Sequence, residues 1–457
     1  MTTDTESMRS KSKDEKWKSS IAPLEREVVV PPDQEHSLKQ IWVYLLHLWN
    51  IPVDGSIVFK DIRHQEISEL ASGVSNLSAS DKGKKKSSFW GRKSASSTEV
   101  NVNPKDESEH GIHHARHSAT PYVKGNVHPE FKKMELEPES SYKEFWESLR
   151  IEPPDAILVR FLKARKWHMD KTLHMLAKDI NWRCTNDFDI NGIINGGEVA
   201  MVKNDVKGVV KNIELQKAII AGKDLEGRPI ILVRPKVHYS SDQTEEELEK
   251  YALLVIEQSK LFLKPPHLKQ AGILFDLTGF SLSNMDYTPV KFLITCFEAH
   301  YPESLGHLFI HKAPWIFSPI WNIVKNWLDP VVASKIMFTK NVDELSKYMA
   351  KDQIPEYLGG TLKLNLDKYD MPDGSKDELL KDTATRDKLL VEREELIQEF
   401  LKRTAEWIET DPADKEKHDL VRNKRAQLSE KIDNNYIALD PYIRSRSAYD
   451  IRGELKV

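Results

Sequence analysis

Three charged residues stand in or beside apolar stretches of this chain: Arg165, which follows Phe161 and Leu162; Glu303, in the turn Tyr301–Gly306; and Lys335, just before Ile336, Met337 and Phe338. An isolated charge withdrawn from water is expensive, so each is expected to pair with another of the three or with a ligand. Arg and Lys donate to phosphate and hydroxyl oxygens, and a carboxylate accepts from a sugar hydroxyl. The set therefore suits an anionic, hydroxyl-rich head group. A structural ion-pair network would satisfy the same charges, and spacing alone leaves both readings open. Arg160, Lys163, Arg165 and Lys166 also crowd the end of one predicted helix, where cations are favourable without any ligand.

Catalytic signatures are missing. The chain has no Walker loop, no Gly-rich dinucleotide fingerprint, no HExxH and no GxSxG. Asp276 closes an apolar run, a place where α/β proteins put functional groups, but it could equally cap the next turn. His110, His113, His114 and His117 are closely spaced in a polar stretch and form at most a weak metal tract. Nothing nominates a nucleophile, a base, a metal site or a cofactor.

The elements that must position these residues follow from periodicity. Apolar positions at helical spacing predict helices over 34–50, Tyr142–Leu149, Asp155–Lys166, and from Asp170 as cap through Trp182. Lys217–Gly222, Ile230–Arg234, Gly272–Leu277, Leu308–Ile310 and Lys335–Thr339 read as strands. Thr244 with Glu247 is a capping-box start for a helix to about Phe262, and another helix runs from about Thr288 to Ala299. In the turn Tyr301–Gly306, Pro302 fixes φ and Gly306 is expected in the left-handed region. Strands alternating with helices argue for an α/β sheet with helices packed on it. The helix 34–50 either docks on this body or lies on a membrane.

Pro314 to Leu328 should be a helix with an unusual composition. Trp315, Ile316, Phe317, Ile320, Trp321, Val324, Trp327 and Leu328 leave only a few polar positions. It is too short to cross a bilayer. It is either a fully buried core helix or a mobile lid whose tryptophans enter a membrane interface.

The composition sets bounds. The chain has 457 residues, 39% hydrophobic and 30% charged, with formal net charge −4. That charge argues against general nucleic-acid binding. Two cysteines, Cys184 and Cys296, form no framework and favour a reducing compartment. There is no visible signal peptide and no run of membrane-spanning length. Residues 1–70 are read as an N-terminal segment carrying the helix 34–50, and 71–130 as a disordered basic and Ser-rich linker. In that linker Lys84, Lys85, Lys86, Phe89 and Trp90 are candidates for contact with an anionic leaflet, with a plain solvated linker as the alternative. After residue 361 two charged helical stretches, Asp377–Ile408 and Asp414 to about Leu439, suggest a helical hairpin.

The run Leu158–Trp167 followed by Asp170–Arg183 resembles the N-terminal helical part of CRAL-TRIO lipid-binding proteins. Gly227–Pro229, Phe275–Gly279, Tyr301–Glu303, Ala313–Trp315, Leu328–Pro330, Ser334–Ile336 and Leu358–Gly360 continue the resemblance in the family's order. Further motifs at Gln40–Trp42, Leu48–Gly55, Ile193–Glu198, Ser241–Thr244 and Asp440–Ser447 are similar to those of a fungal subgroup, the CSR-type phosphatidylinositol transfer proteins. The resemblance implies an α/β CRAL-TRIO fold: a helical N-terminal subdomain (142–190) and a lipid-binding domain (191–361) with a mixed β-sheet floor and a gating helix. An N-terminal helix and a C-terminal helical extension (362–457) flank it.

Function is implied in the same way. The family's phosphatidylinositol head-group positions fall on Arg165, Glu303 and Lys335, and the gate on Trp315, Phe317, Ile320, Trp321, Val324, Trp327 and Leu328. A phosphate-touching Thr of the family falls on Val332. Positions that hold phosphatidylcholine in a yeast relative fall on Ile220, Ile231, Ala271, Ile273 and Phe297, all apolar. Each unmade hydrogen bond of a buried polar group costs about 1–3 kcal/mol, so phosphatidylcholine should transfer poorly and a sterol or squalene-like hydrocarbon could take its place. The implied protein is a non-catalytic, monomeric lipid carrier. It would be cytoplasmic and peripheral to cytosolic membrane surfaces of the endoplasmic reticulum (microsomes), endosomes or lipid droplets, and would serve lipid-modifying enzymes. A sensor of an apolar lipid and an interaction scaffold acting through the terminal helices are the rival readings.

Overall fold

A computed structural model describes residues 30–60, 117–185, 188–263 and 269–457, without the side chains of residues 32 and 33. The basic-aromatic candidates Lys84, Lys85, Lys86, Phe89 and Trp90 lie outside these residues, as do His110, His113 and His114.

The N-terminal helix α1 spans Pro32–Leu48, with Pro at its first position, where the missing N–H costs no helical bond. From residue 37 to 48 its side chains are buried on every side, including Leu38, Ile41, Trp42, Leu45 and Leu46. It therefore docks, and the membrane-lying alternative falls. It enters a core built from α2 (Pro138–Leu149), α3 (Pro154–Ala164) and α4 (Met169–Thr185). The end of the stretch expected as linker is packed as well: Tyr122 stacks on Phe59 at 4.3 Å and Phe131 is fully buried. Asp170 sits inside the first turn of α4, and its carboxylate accepts from the Ala119 N–H at 2.9 Å.

Two helices not anticipated follow, α5 (Ile190–Lys203) and α6 (Lys207–Glu214). Gly197 breaks α5 with φ +54°, which only glycine adopts at little cost. Five strands then form one mixed sheet in sequential order: β1 (Ala218–Lys223), β2 (Pro229–Val233), β3 (Ala271–Asp276), β4 (Leu305–His311) and β5 (Ile336–Thr339). β1 and β2 are antiparallel and the remaining pairs parallel. The long α7 (Glu245–Leu261) begins with the expected capping box of Thr244 and Glu247 and crosses from β2 to β3. α8 (Tyr287–Thr295) continues into a wider turn through His300 and leads to β4.

The strand period sorts the sheet into two faces. Ile220, Ile231 and Ile273 join one apolar cluster with α7 and α5, whereas Ile230, Leu232, Leu274 and Phe309 join another with Leu345, Met349 and Ile354. Between β4 and β5 the chain leaves the sheet to form α9 (Phe317–Val324) and α10 (Pro330–Ser334). The C-terminal helices α11 (Thr383–Glu409) and α12 (Lys415–Ile443) pack on each other and on α1. Asp155 locks this junction: it accepts from Trp42 Nε1 at 2.7 Å and from both Arg425 terminal nitrogens at 3.0 and 2.9 Å. A last helix, α13 (Ala448–Ile451), ends the fold.

One ionic group joins the N-terminal helices to the sheet domain. Glu257 on α7 is fully buried, with Arg150 Nε at 3.4 Å, Lys260 Nζ at 3.5 Å and Arg183 Nη1 at 3.8 Å. The Tyr301 hydroxyl donates to it at 2.8 Å. Burial alone would raise its pKa, but Lys260, Arg150 and Arg183 outweigh burial and hold it at about 2. Glu257→Gln removes the counter-charge of Arg150 and Lys260, while Arg183 keeps Asp179 at 3.2 Å, and an unfolding free energy lower by about 3–5 kcal/mol is expected. The depressed native pKa means that the stabilisation from Glu257 is present above the unfolded value of about 4.3 and is lost as pH falls from there through about 2. Urea unfolding of both proteins across that window checks this: the wild type should lose its advantage on acidification, and an equal advantage at both ends would contradict the assignment.

Candidate functional site

The last turn of α3 ends at Arg165, and the chain then reverses through two left-handed residues, Lys166 (φ +50°) and Trp167 (φ +61°). Trp167 is buried and its N–H reaches the Leu162 carbonyl at 2.8 Å, so the reversal is held by packing and a backbone bond. Arg165 is half-buried, and its Nη1 donates to the Ala164 carbonyl at 3.0 Å.

Glu303 and Lys335 sit immediately before β4 and β5, at the amino edge of the parallel strands. Lys335 is half-buried at the C-cap of α10, and its ammonium donates to the Leu305 carbonyl at 2.9 Å, two residues beyond Glu303. Glu303 is half-buried, and its carbonyl accepts from Gln270 Nε2 at 3.2 Å. The basic end of α3 faces the same edge: Lys163 and Arg160 lie close enough to Lys269 to depress its pKa, an effect secondary to its burial. No ion pair joins any two of Arg165, Glu303 and Lys335. These three charges do not neutralise one another.

The expected turn differs in one detail. Glu303, not Gly306, takes the left-handed conformation, with φ +56°. Gly306 lies inside β4, and a side chain there would meet Arg228 Cδ at 2.8 Å. It is required for close approach rather than for φ. Arg228 is itself clamped by Asp224, Nε to Oδ2 at 2.6 Å. Asp276 is fully buried and accepts from the Thr278 N–H at 3.0 Å, so it caps its turn. No group of three or more His, Cys, Asp or Glu residues able to hold a metal ion occurs among the described residues.

The helix expected over Pro314–Leu328 is shorter, α9 covering Phe317–Val324, and it is not a core helix. Trp315 is 85% exposed, and Ile320 is the one buried residue of α9. Its inner side packs on Leu277, Phe280 and Ile310, with Phe317 edge-on to Phe280 at 6.2 Å and Trp321 edge-on to Phe338 at 5.2 Å. Trp327 lies against Tyr287 at 5.5 Å, Leu328 is half-buried, and the Asp329 N–H donates to Glu298 at 2.8 Å. Val324 belongs to the same small cluster. Trp315, Ile323 and Val331 are exposed apolar residues of this excursion, and Phe338 of β5 is exposed beside Trp321.

The apolar positions meet on one sheet face. Ile220 pairs with Ile231 and Ile231 with Ile273, and Ala271 and Phe297 belong to the same cluster. Around them Phe275, Phe292, Leu293, Leu308 and Val332 pack against the cluster but remain only half-buried, and no residue of α8 is buried. The buried group around Glu257 was missed by sequence reasoning. Its members lie at 150, 183, 257, 260 and 301, and no local spacing links them.

A mixed five-stranded sheet with an incompletely covered apolar face, a helical N-terminal subdomain and an exposed apolar helix define the class as a two-part α/β protein. The CRAL/TRIO domain model matches residues 213–360, and the CRAL/TRIO N-terminal domain model matches residues 126–178. The chain is 46% identical over 425 residues to the phosphatidylinositol transfer protein CSR1 of Eremothecium gossypii, covering 93% of this chain and 97% of that protein. It is 34% identical to a CRAL-TRIO domain-containing protein of Schizosaccharomyces pombe, covering 92% and 90%. A phosphatidylinositol/phosphatidylcholine transfer protein of Arabidopsis thaliana, SFH12, is 28% identical over 222 residues, 45% of this chain and 39% of that protein. The chain belongs to the CRAL-TRIO family.

A glutamate held at φ +56° costs about 1–2 kcal/mol relative to a residue at ease there. Glu303→Gly should therefore unfold at higher denaturant, with about 1 kcal/mol gained. A loss of stability instead would identify the carboxylate as a structural partner.

Proposed function

We propose that this protein carries one phosphatidylinositol molecule between cytosolic membrane leaflets without turning it over. The acyl chains lie against the half-buried apolar side chains between the sheet and α8, and the head group meets Arg165, Glu303 and Lys335. The observation that carries the reading is the pairing of two features: an interior apolar face left half-covered by Phe275, Phe292, Leu293, Phe297, Leu308 and Val332, and two half-buried charges, Glu303 and Lys335, just before β4 and β5 with no ion pair between them. The name of the Eremothecium relative, a phosphatidylinositol transfer protein matched over nearly its whole length, supports the choice of head group.

Lys335 offers its ammonium to the phosphate, Arg165 adds a forked donor, and Glu303 accepts from inositol hydroxyls. The excursion between β4 and β5 acts as the gate. Trp315 and its exposed apolar neighbours enter the headgroup layer, and α9 swings from its contacts with Phe280 and Phe338 to admit the lipid. No helix among the described residues is long and apolar enough to cross a membrane. Contact is peripheral. The working units are the N-terminal helical subdomain (142–190) and the lipid-binding domain (191–361), with the C-terminal extension (362–457) as their brace.

Ile220, Ile231, Ala271, Ile273 and Phe297 offer a choline phosphate no side-chain hydrogen bond. Phosphatidylcholine is a poor cargo in this reading. The same register-aligned apolar row favours a second one, carriage or sensing of a wholly apolar lipid such as a sterol or squalene.

The test is transfer between vesicles by the full chain. Glu303→Ala and Lys335→Ala each remove a charge-assisted contact of about 1.5–3 kcal/mol, so phosphatidylinositol transfer should fall on the order of tenfold or more with unchanged circular dichroism. Wild-type transfer by both variants would remove these residues from the site. Phosphatidylcholine transfer by the unmodified protein should be weak, and robust transfer would overturn the reading of the apolar row.

A further inference from the structure

The C-terminal run Asp440–Ser447 meets the Gly-Gly kink of α5 in a single joint. Arg444 is buried between two carboxylates, with bonds of 2.7 and 2.9 Å to Asp440 and of 2.7 and 2.9 Å to Asp450. Arg446 adds a bond of 2.9 Å to Asp440. This clamp is fastened to α5 by the Ser445 N–H on the Asn195 carbonyl at 2.7 Å and the Ala448 N–H on Glu198 at 2.9 Å. Glu198 is buried and also accepts from the Tyr369 hydroxyl at 2.5 Å.

Beyond the clamp, the end of the chain turns into the apolar interior. Tyr449 and Leu455 are buried in the same cluster as Ile220, Ile231 and Ile273, and Val457 packs against it. The Tyr449 hydroxyl receives the Ile220 N–H at 2.9 Å, and its ring stands edge-on to Phe262 at 5.5 Å. β1 is the antiparallel edge of the sheet, so this N–H points away from β2. The hydroxyl therefore fixes the ring against the outer end of the apolar sheet face.

We propose that residues 449–457 form the closed end of the apolar chamber on the β1 side, and that Tyr449 and Leu455 set how long an apolar chain the protein accepts. The proposal rests on the lipid-carrier reading above. A buried phenol and a leucine occupy the volume that additional methylenes would need. The joint at Glu198 and the clamp at Arg444 keep them there with charge-assisted bonds that an apolar chain cannot displace.

The test uses the full chain, loaded from vesicles holding equal amounts of two phosphatidylinositols that differ by about two methylenes per acyl chain, with bound species counted by native mass spectrometry. Each further methylene accommodated is worth about a fourfold preference, so the long-to-short ratio should rise on the order of tenfold in Tyr449→Ala and in Leu455→Ala. Tyr449→Phe keeps the ring and should keep the wild-type ratio, which separates chamber length from general loosening. Should Tyr449→Ala not fold, Leu455→Ala, close to the chain end, carries the same comparison. An unchanged ratio in alanine variants that still load lipid overturns the wall. A wild type that loads neither species overturns the carrier reading and the wall with it.

Discussion

The Glu257 carboxylate has no exposed surface and sits among Arg150, Arg183 and Lys260, cations drawn from the end of α2, from α4 and from its own helix. In a low-dielectric interior neither the carboxylate nor the cations could remain alone, so the helical subdomain and α7 are obliged to stay in register. The fourth partner, the Tyr301 hydroxyl, passes that constraint to the turn before β4. Two residues later the same turn holds Glu303 in a left-handed conformation that a free chain would avoid. The buried group thus supplies the anchorage against which a strained, half-buried carboxylate can be presented at the sheet's amino edge. His300 reinforces it from the other side, stacked on Trp182 at 3.8 Å and bonded to Asp179 at 3.0 Å.

What was legible from the sequence was whatever repeats locally. Continuous short apolar runs bounded by turn residues, Ile230–Arg234 and Gly272–Leu277, placed the strands within a residue or two, and the Thr244–Glu247 box marked the start of α7. The helix Ile190–Lys203 was not, because three glycines and a left-handed break at Gly197 interrupt its periodicity, and it is the close packing of Ser445 and Tyr369 around it that keeps it in place. Gly306 was misjudged because a glycine required by a neighbour's side chain looks the same in sequence as one required by φ. Arg165, Glu303 and Lys335 were singled out by charge in apolar context, but where the fold puts each was not readable: Glu303 and Lys335 depend on strands β4 and β5 starting side by side, and Arg165 on the reversal after α3 at Lys166 and Trp167.

The excursion between β4 and β5 shows how an apolar helix can remain at a surface. Ile320 is sunk into the small cluster with Leu277, Phe280 and Ile310, while Trp315 stands clear of it. Few buried contacts hold the segment, and such an element is the sort that opens at low free-energy cost. Its two ends are held by different bonds: where it enters β5, the Leu308 N–H meets the Lys335 carbonyl at 2.9 Å, and where it leaves β4, the strand tips are tied. His311 and Thr339, the last residues of β4 and β5, are joined side chain to side chain at 2.9 Å, and the Lys312 N–H meets the Thr339 carbonyl at 2.8 Å. The strand tips are thus tied to each other independently of the helices that lie between β4 and β5.

The opposite end of the sheet obeys the contrary rule. An exposed edge strand invites pairing with another chain, and β1 has its outward donors taken up by side chains: the Ala218 N–H by the Tyr251 hydroxyl at 2.8 Å and the Ile220 N–H by that of Tyr449. One tyrosine belongs to α7 and the other to the extreme C-terminal segment, so the extension completes the sheet as well as bracing the helices. The two edges thus divide the labour. At β5 the chain leaves the sheet to make a surface segment with few buried anchors, and at β1 the sheet is sealed by hydroxyls whose helices are held through Glu198 and the Arg444 clamp. The β1 edge is thus closed by side-chain hydroxyls and a carboxylate that accept backbone N–H groups, reinforced by the backbone bond from Ser445 to Asn195.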